Sequence, residues 1–319
     1  MKSTIGLHHI TAIAGDPQEN LDFYVGVLGM RLAKKSINQD VPDTYHLFFA
    51  DDDGNPGTDL TFFPWPTLPP RRDGIGHWGE ISLTVPDGAL GFWEDRLGAA
   101  GVEVDERAER FGEIVLPFRD PHGLRLSLVE SEHYDGFAFT PRGRSTVAEH
   151  RQIRGFAGVR LEERQRESTE AFFANALGFR AGETDGEWTR FYVGEGRAGQ
   201  RIDLRVDQDA RRGNWGVGAV HHVAWRVSND EDQLRMREQV MTAGGRPTQV
   251  IDRFWFRSVY VQEPGGALVE LATDGPGFAV DEDPAHLGET LVLPPWYEEQ
   301  RDAIEQALPP LRMPEGVVG

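Results

Sequence analysis

The sequence predicts an α+β fold assembled from four copies of one βαβββ unit. Three observations predict it. Two short apolar strands, Gly6 to Ile13 (GLHHITAI) and Ala219 to Val227 (AVHHVAWRV), each carry two adjacent histidines and lead into a helix that opens on an acidic or amide cap and closes on glycine. Turn residues recur before the last strand of a unit, at Asp53-Gly54-Asn55-Pro56-Gly57, Asp120-Pro121-His122-Gly123 and Glu263-Pro264-Gly265-Gly266. The chain, at 319 residues, is also long enough for two domains, each with its own core.

The first unit runs from Leu7 to about Pro64. Its helix takes Asp16 as N-cap and Pro17 at the first position, with Glu19 in capping-box placement, and it ends at Leu28-Gly29. The second unit opens at His77 to Val85, continues with a helix from about Gly88 to Ala100, and closes with RLSLVE. A polar segment rich in arginine and glycine then separates the halves. The third unit opens at Gly155 to Leu161, has its helix around Ser168 to Leu177, and closes near Ile202 to Val206. The fourth begins at Val220, places its helix around Asp230 to Ala243, and ends in ALVELAT. The expected organisation is an N-terminal domain over 1–135, a linker over 136–154, a C-terminal domain over 155–275, and a tail over 276–319 with a helix at Trp296 to Leu308. That tail either caps the site or packs on a neighbouring chain.

Composition excludes several classes. Without cysteine there is no disulfide, zinc finger, iron-sulfur cluster or thiolate nucleophile. A formal net charge of -19 argues against nucleic acid, because a phosphate backbone rewards basic patches. No apolar run approaches a membrane span and no signal peptide precedes the first strand, so a soluble, cytoplasmic protein is expected.

Ligand-type residues concentrate in units one and four. Aligning the opening strands sets His9 against His222 and, in unit two, Glu80; unit three offers only Phe156 or Ala157. Aligning the closing turns sets Glu270 against Ser127 and Thr61. Glu270 stands alone among apolar neighbours, and two histidines with one carboxylate form the facial triad common at non-haem Fe(II) centres. If two units close around one cavity, each lending its first and last strand, His9, His222 and Glu270 meet with Thr61 at a vacant fourth corner. Because strand neighbours point to opposite faces, each histidine pair offers one ligand and one supporting residue. A five-residue hairpin loop sets Tyr260 across from Glu270, where its phenol is placed to donate to a bound oxygen species, and Arg253 is read as beginning the same strand. His46, His77, His122, His133, His150 and His286 lack partners at ligand spacing and read as structural or exposed; of the tryptophans, Trp225 and Trp255 flank the expected site.

The LHHITAI opening, the VHHVAWRV echo, the segment RFWFRSVYVQEPGGALVELATD and the LPPW tail resemble the ring-cleaving dioxygenases of the vicinal oxygen chelate superfamily, specifically the hydroquinone 1,2-dioxygenase branch. The resemblance covers nearly the whole chain. It implies glyoxalase-like domains of paired βαβββ units and Fe(II), with Mn(II) as the alternative, held by His9, His222 and Glu270. It further implies that Thr11, His8, His221, Arg253 and Tyr260 line the surrounding pocket. The implied reaction opens a hydroquinone ring with both atoms of dioxygen incorporated. Cleavage of a catechol, or isomerase or lyase chemistry in the same metal cup, are the alternatives. Expected partners are a small aromatic substrate, O2 and further copies of the chain in a homo-oligomer.

Overall fold

The computed structural model describes residues 2–131 and 138–314, so His133 lies outside the described residues. The four predicted units are present. Unit one comprises β1 (Leu7–Ala14), α1 (Pro17–Leu21), β2 (Arg31–Asn38), β3 (Val41–Ala50) and β4 (Asp59–Pro64). Unit two comprises β5 (Trp78–Val85), α2 (Leu90–Ala99), β6 (Ala108–Arg110), β7 (Glu113–Arg119) and β8 (Arg125–Glu130). Unit three has β9 (Gly155–Glu163), α3 (Arg166–Phe172), β10 (Arg180–Asp185), β11 (Trp188–Tyr192) and β12 (Arg201–Val206). Unit four has β13 (Val220–Val227), α4 (Asp230–Thr242), β14 (Ile251–Asp252), β15 (Arg257–Gln262) and β16 (Leu268–Thr273). The caps act as their residue types require: Asp16 accepts from the amides of Gln18 and Glu19, and Asn229 accepts from that of Asp232.

These strands form two curled eight-stranded sheets, in the orders β14-β15-β16-β13-β1-β4-β3-β2 and β10-β11-β12-β9-β5-β8-β7-β6. Unit one is therefore hydrogen-bonded to unit four, and unit two to unit three. Neither sheet is confined to residues 1–135 or to 155–275. Within each unit the first strand pairs in parallel with the last, and the two first strands of a sheet pair antiparallel at its centre. This arrangement brings opening and closing strands of units one and four together, as the ligand positions require. Apolar faces of both sheets and their helices share a main core, which includes Trp78, Trp93, Phe118, Phe156 and Trp225.

The tail returns to unit one. Phe278 and Leu287 join Ala33, Phe48, Trp255 and Phe256 in a second apolar cluster inside the first sheet. The fully buried Lys34 anchors it, donating to the carbonyl of Phe278 (2.9 Å), to Asp281 (2.8 Å) and to Glu282. Farther on, the predicted tail helix starts as a 3-10 turn over Pro295–Gln300 and continues as α5 (Arg301–Ala307), which packs on β3. No helix among the described residues is long and apolar enough to cross a membrane.

Candidate metal centre

His9 on β1, His222 on β13 and Glu270 on β16 converge on the concave side of the first sheet, each almost wholly buried. The Nε2 atoms of the two histidines are 3.2 Å apart, and Glu270 Oε2 lies 3.3 Å from one and 2.9 Å from the other. Three neighbouring corners of an octahedron with bonds of about 2.1 Å are about 3.0 Å apart, so these donors span one face of such a site. Glu270 Oε1 already accepts from Ser258 Oγ at 2.5 Å, whereas the buried Oε2 has no hydrogen-bond partner. A buried acceptor left open beside two imidazole nitrogens fits a cation. Burial alone would raise the Glu270 carboxyl, but His9 and His222 beside it hold it well below the usual carboxylate range. Glu270 is therefore a carboxylate at neutral pH, with its Oε2 turned to the two histidines.

Both members of each histidine pair belong to the centre, against the simple expectation of opposite faces. The register of β1 on β13 skips His8 between Leu7 and His9, and skips His221 between His222 and Val220. Each strand bulges at the residue beside its ligand, which turns that side chain back toward the site. His8 Nδ1 lies 2.9 Å from His9 Nδ1, and His221 Nδ1 lies 2.8 Å from His222 Nδ1. If Nε2 of His9 offers its lone pair inward, its Nδ1–H donates to His8, whose Nε2–H then donates to the Thr273 carbonyl at 3.1 Å. His221 does the same for His222, with its ring packed 4.5 Å from that of Trp215. Burial, followed by the neighbouring His9, lowers the His8 imidazole, and burial with His222 lowers His221 to about 3. Both are therefore neutral acceptors.

The predicted pairing of Tyr260 with Glu270 is observed across β15 and β16. Burial and then the Glu270 carboxylate push the Tyr260 phenol up, so it keeps its proton. Arg253 is not on that strand, which begins at Arg257; it sits in the preceding loop because the chain turns at Phe254, whose φ is 75°. From there its guanidinium lies 5.5 Å from the Tyr260 ring centroid and pairs with Asp40 at 2.9 Å. Thr11 Oγ1 is 3.0 Å from His222 Nε2 and 2.7 Å from Thr61 Oγ1, so Thr61 stands at the edge of the centre. A cavity of about 360 Å³, counting its open mouth, rises from the ligands between Asn38, Phe48, Phe63, Trp255 and Phe256.

Two participants escaped the sequence reading. His46, expected to be structural or exposed, lines this cavity and bonds Thr61 Oγ1 through Nε2 at 2.9 Å. Ser258 holds Glu270. Ser258 was findable, being two residues from Tyr260 on the same strand face, whereas His46 is placed by pairing of β3 with β4 and carries no local signal. Trp255 lines the cavity, but Trp225 lies in the main core against Phe179. In the second sheet the places of His9 and Glu270 fall to Glu80, which pairs with Arg110, and to Ser127, which bonds Ser82 at 2.8 Å. Arg190 clamps Asp203 there through two bonds, and no second convergent group of metal-type donors occurs among the described residues.

The family model for the Glyoxalase/Bleomycin resistance protein/Dioxygenase superfamily matches residues 6–128 and 164–271. The chain is 44% identical over 314 residues to the Bacillus subtilis (strain 168) protein named "Putative ring-cleaving dioxygenase MhqO", covering 98% of this chain and 99% of that one. It is 34% identical over 307 residues to a chlorohydroquinone/hydroquinone 1,2-dioxygenase of Sphingobium indicum, covering 94% of each. Among solved structures, a Bacillus subtilis "putative dioxygenase" superposes with a TM-score of 0.92 at 43% identity, over 99% of this chain and all of the other.

Proposed function

The chain belongs to the Glyoxalase/Bleomycin resistance protein/Dioxygenase superfamily, and from that premise we propose that it is a ring-cleaving dioxygenase that holds Fe(II) between His9, His222 and Glu270 and opens a hydroquinone beside one of its hydroxyls. The observation that carries the reading is the convergence of three buried donors, 2.9 to 3.3 Å apart, beneath an aromatic-walled cavity. The names of the relatives support the reaction class and, for the Sphingobium protein, the para-diol.

Iron(II) held there would mediate electron transfer between ring and dioxygen and would favour the ionised substrate hydroxyl. The protein's part is binding, orientation and proton control. His8 and His221 keep the ligating rings in the tautomer that offers Nε2 inward. Ser258 occupies one oxygen of Glu270 and so presents the other. Phe48, Phe63, Trp255 and Phe256 flank a flat ring and exclude water from it. Tyr260, protonated beside the ligands, donates to developing negative charge, and Arg253 over its ring reinforces that field.

Dioxygen uptake tests the proposal. Protein loaded anaerobically with Fe(II) is offered hydroquinone, methylhydroquinone, chlorohydroquinone and catechol in parallel at an oxygen electrode. Uptake with a para-diol, absent without iron, is expected. Preference for catechol would overturn the substrate assignment, and no uptake despite bound iron would overturn the reaction class in favour of isomerase or lyase chemistry.

A further inference from the structure

We infer that the concave face of the second sheet holds a binding site for a small organic carboxylate, with Arg160 on β9 as its principal donor and Val115, Val129 and Ala157 as its apolar wall.

The second sheet repeats the geometry of the first with its chemistry changed. Pairing register matches unit two to unit one and unit three to unit four. Ser82 meets Ser127 and Gly158 as Thr11 meets Thr61 and His222. Asp203 meets Arg160 and Arg190 as Glu270 meets Ala224 and Tyr260. Glycine thus stands where unit four has a ligating histidine, and arginine where it has Ala224 and Tyr260. What remains is a cup of about 360 Å³, counting its open mouth, into which Arg110, Arg160, Arg190 and Arg201 project. The first sheet gathers acceptors around a place for a cation; the second gathers donors.

One of those donors is unused. Arg110 pairs with Glu80, Arg190 and Arg201 pair with Glu113, and Arg190 also takes both oxygens of Asp203. Arg160 makes no hydrogen bond among the described residues, although its side chain is only 12% exposed and its Nε is wholly buried. Asp203 Oδ2 lies 3.9 Å from that nitrogen, beyond hydrogen-bond reach. Four guanidinium groups therefore face three carboxylates, with Glu183 acting on Arg190 and Arg201 only from the exposed edge strand β10. Burial, followed by Arg110, draws the Arg160 guanidinium down to about 10, so it stays charged at neutral pH and lacks a counter-ion. Trp188 packs against it, 3.8 Å from guanidinium carbon to ring centroid, which holds the fork in place without engaging its N–H groups. A buried donor without an acceptor is rare in a folded chain and fits a ligand that supplies one. The fork matches the two oxygens of a carboxylate. Beside it Val115, Val129 and Ala157 form a buried apolar cluster that lines the same cup. An inorganic anion gains nothing from that wall, whereas a carboxylate with a short hydrocarbon or aromatic body covers it.

Isothermal titration tests the site. The full chain, with and without Fe(II) and under anaerobic conditions, is titrated with benzoate, butyrate and inorganic phosphate in a buffer free of other carboxylates. Saturable binding of benzoate or butyrate is expected, equal in the two metal states and tighter than that of phosphate. Arg160→Met should weaken it at least about tenfold. Arg160→Lys keeps the charge but not the fork, so it should fold as the wild type does and still lose affinity. Undiminished binding by either variant, or no saturable heat with any probe, would overturn the site. Binding that requires Fe(II) would place the ligand at the metal centre instead, and phosphate bound more tightly than both carboxylates would overturn the ligand class.

Discussion

Lys34→Met would test whether the tail is strapped into the first sheet and so shapes the cavity. The Lys34 ammonium is fully buried, donates to Phe278, Asp281 and Glu282, and lies 5.3 and 5.6 Å from the ring centroids of Trp255 and Phe278. Methionine preserves much of the chain length but leaves two carboxylates, 18% and 7% exposed, without their cation. Removing one partner of a buried ion pair costs about 3–5 kcal/mol. With an unfolding entropy of about 2.1 cal/mol/K per residue, roughly 0.7 kcal/mol/K for this chain, that corresponds to a Tm lower by about 4–7 °C. Because Asp281 also accepts from Trp255 Nε1 at 3.1 Å, the loss should disturb the cavity wall. Calorimetry together with limited proteolysis is the assay, and cleavage within 275–293 is expected to precede any other cut. A variant with wild-type Tm and an equally protected tail would refute the strap.

His8→Phe should weaken Fe(II) binding by roughly 10–100-fold, the usual cost of losing a group that orients a ligating histidine; isothermal titration with the fold checked by circular dichroism measures it, and unchanged affinity would dismiss His8 from that part. Tyr260→Phe should retain iron yet lower oxygen uptake by about 10²-fold or more, and an unaltered rate would exclude its phenol from the chemistry. Burial and the neighbouring Glu263 carboxylate push the Glu163 carboxyl from 4.5 up to about 8. Between those values the folded chain keeps a proton that the unfolded chain has released, so this group makes stability fall as pH rises from about 4.5 to about 8 and contributes no further slope above. Glu163→Gln should flatten that part of the Tm-against-pH curve, and an unchanged slope would show that the pair does not share a proton.

Much of the fold was legible because its signals are local. Strand and helix periods, the caps at Asp16 and Asn229, and the turns at Gly57, Gly123 and Gly266 are each written within a few residues. Hairpin geometry likewise determines register over a short span, which is why Tyr260 could be set opposite Glu270 before the structure. The repeat set His9 against His222 and Glu270 against Thr61, which is how these positions stood out as candidates in the sequence.

What only the tertiary structure decided depends on contacts between distant segments. Unit one joins unit four because the central β1–β13 pairing closes one sheet across more than 200 residues, and no local pattern states which apolar edges will meet. The bulges that turn His8 and His221 toward the ligands arise from the mutual register of those two strands. His46 acquires its partners through the β3–β4 pairing, and Lys34 through a tail more than 240 residues away. In each case the residue type is ordinary for its strand, and its role comes from which buried polar groups the packed chain leaves within reach, since a group removed from water must find its partner there.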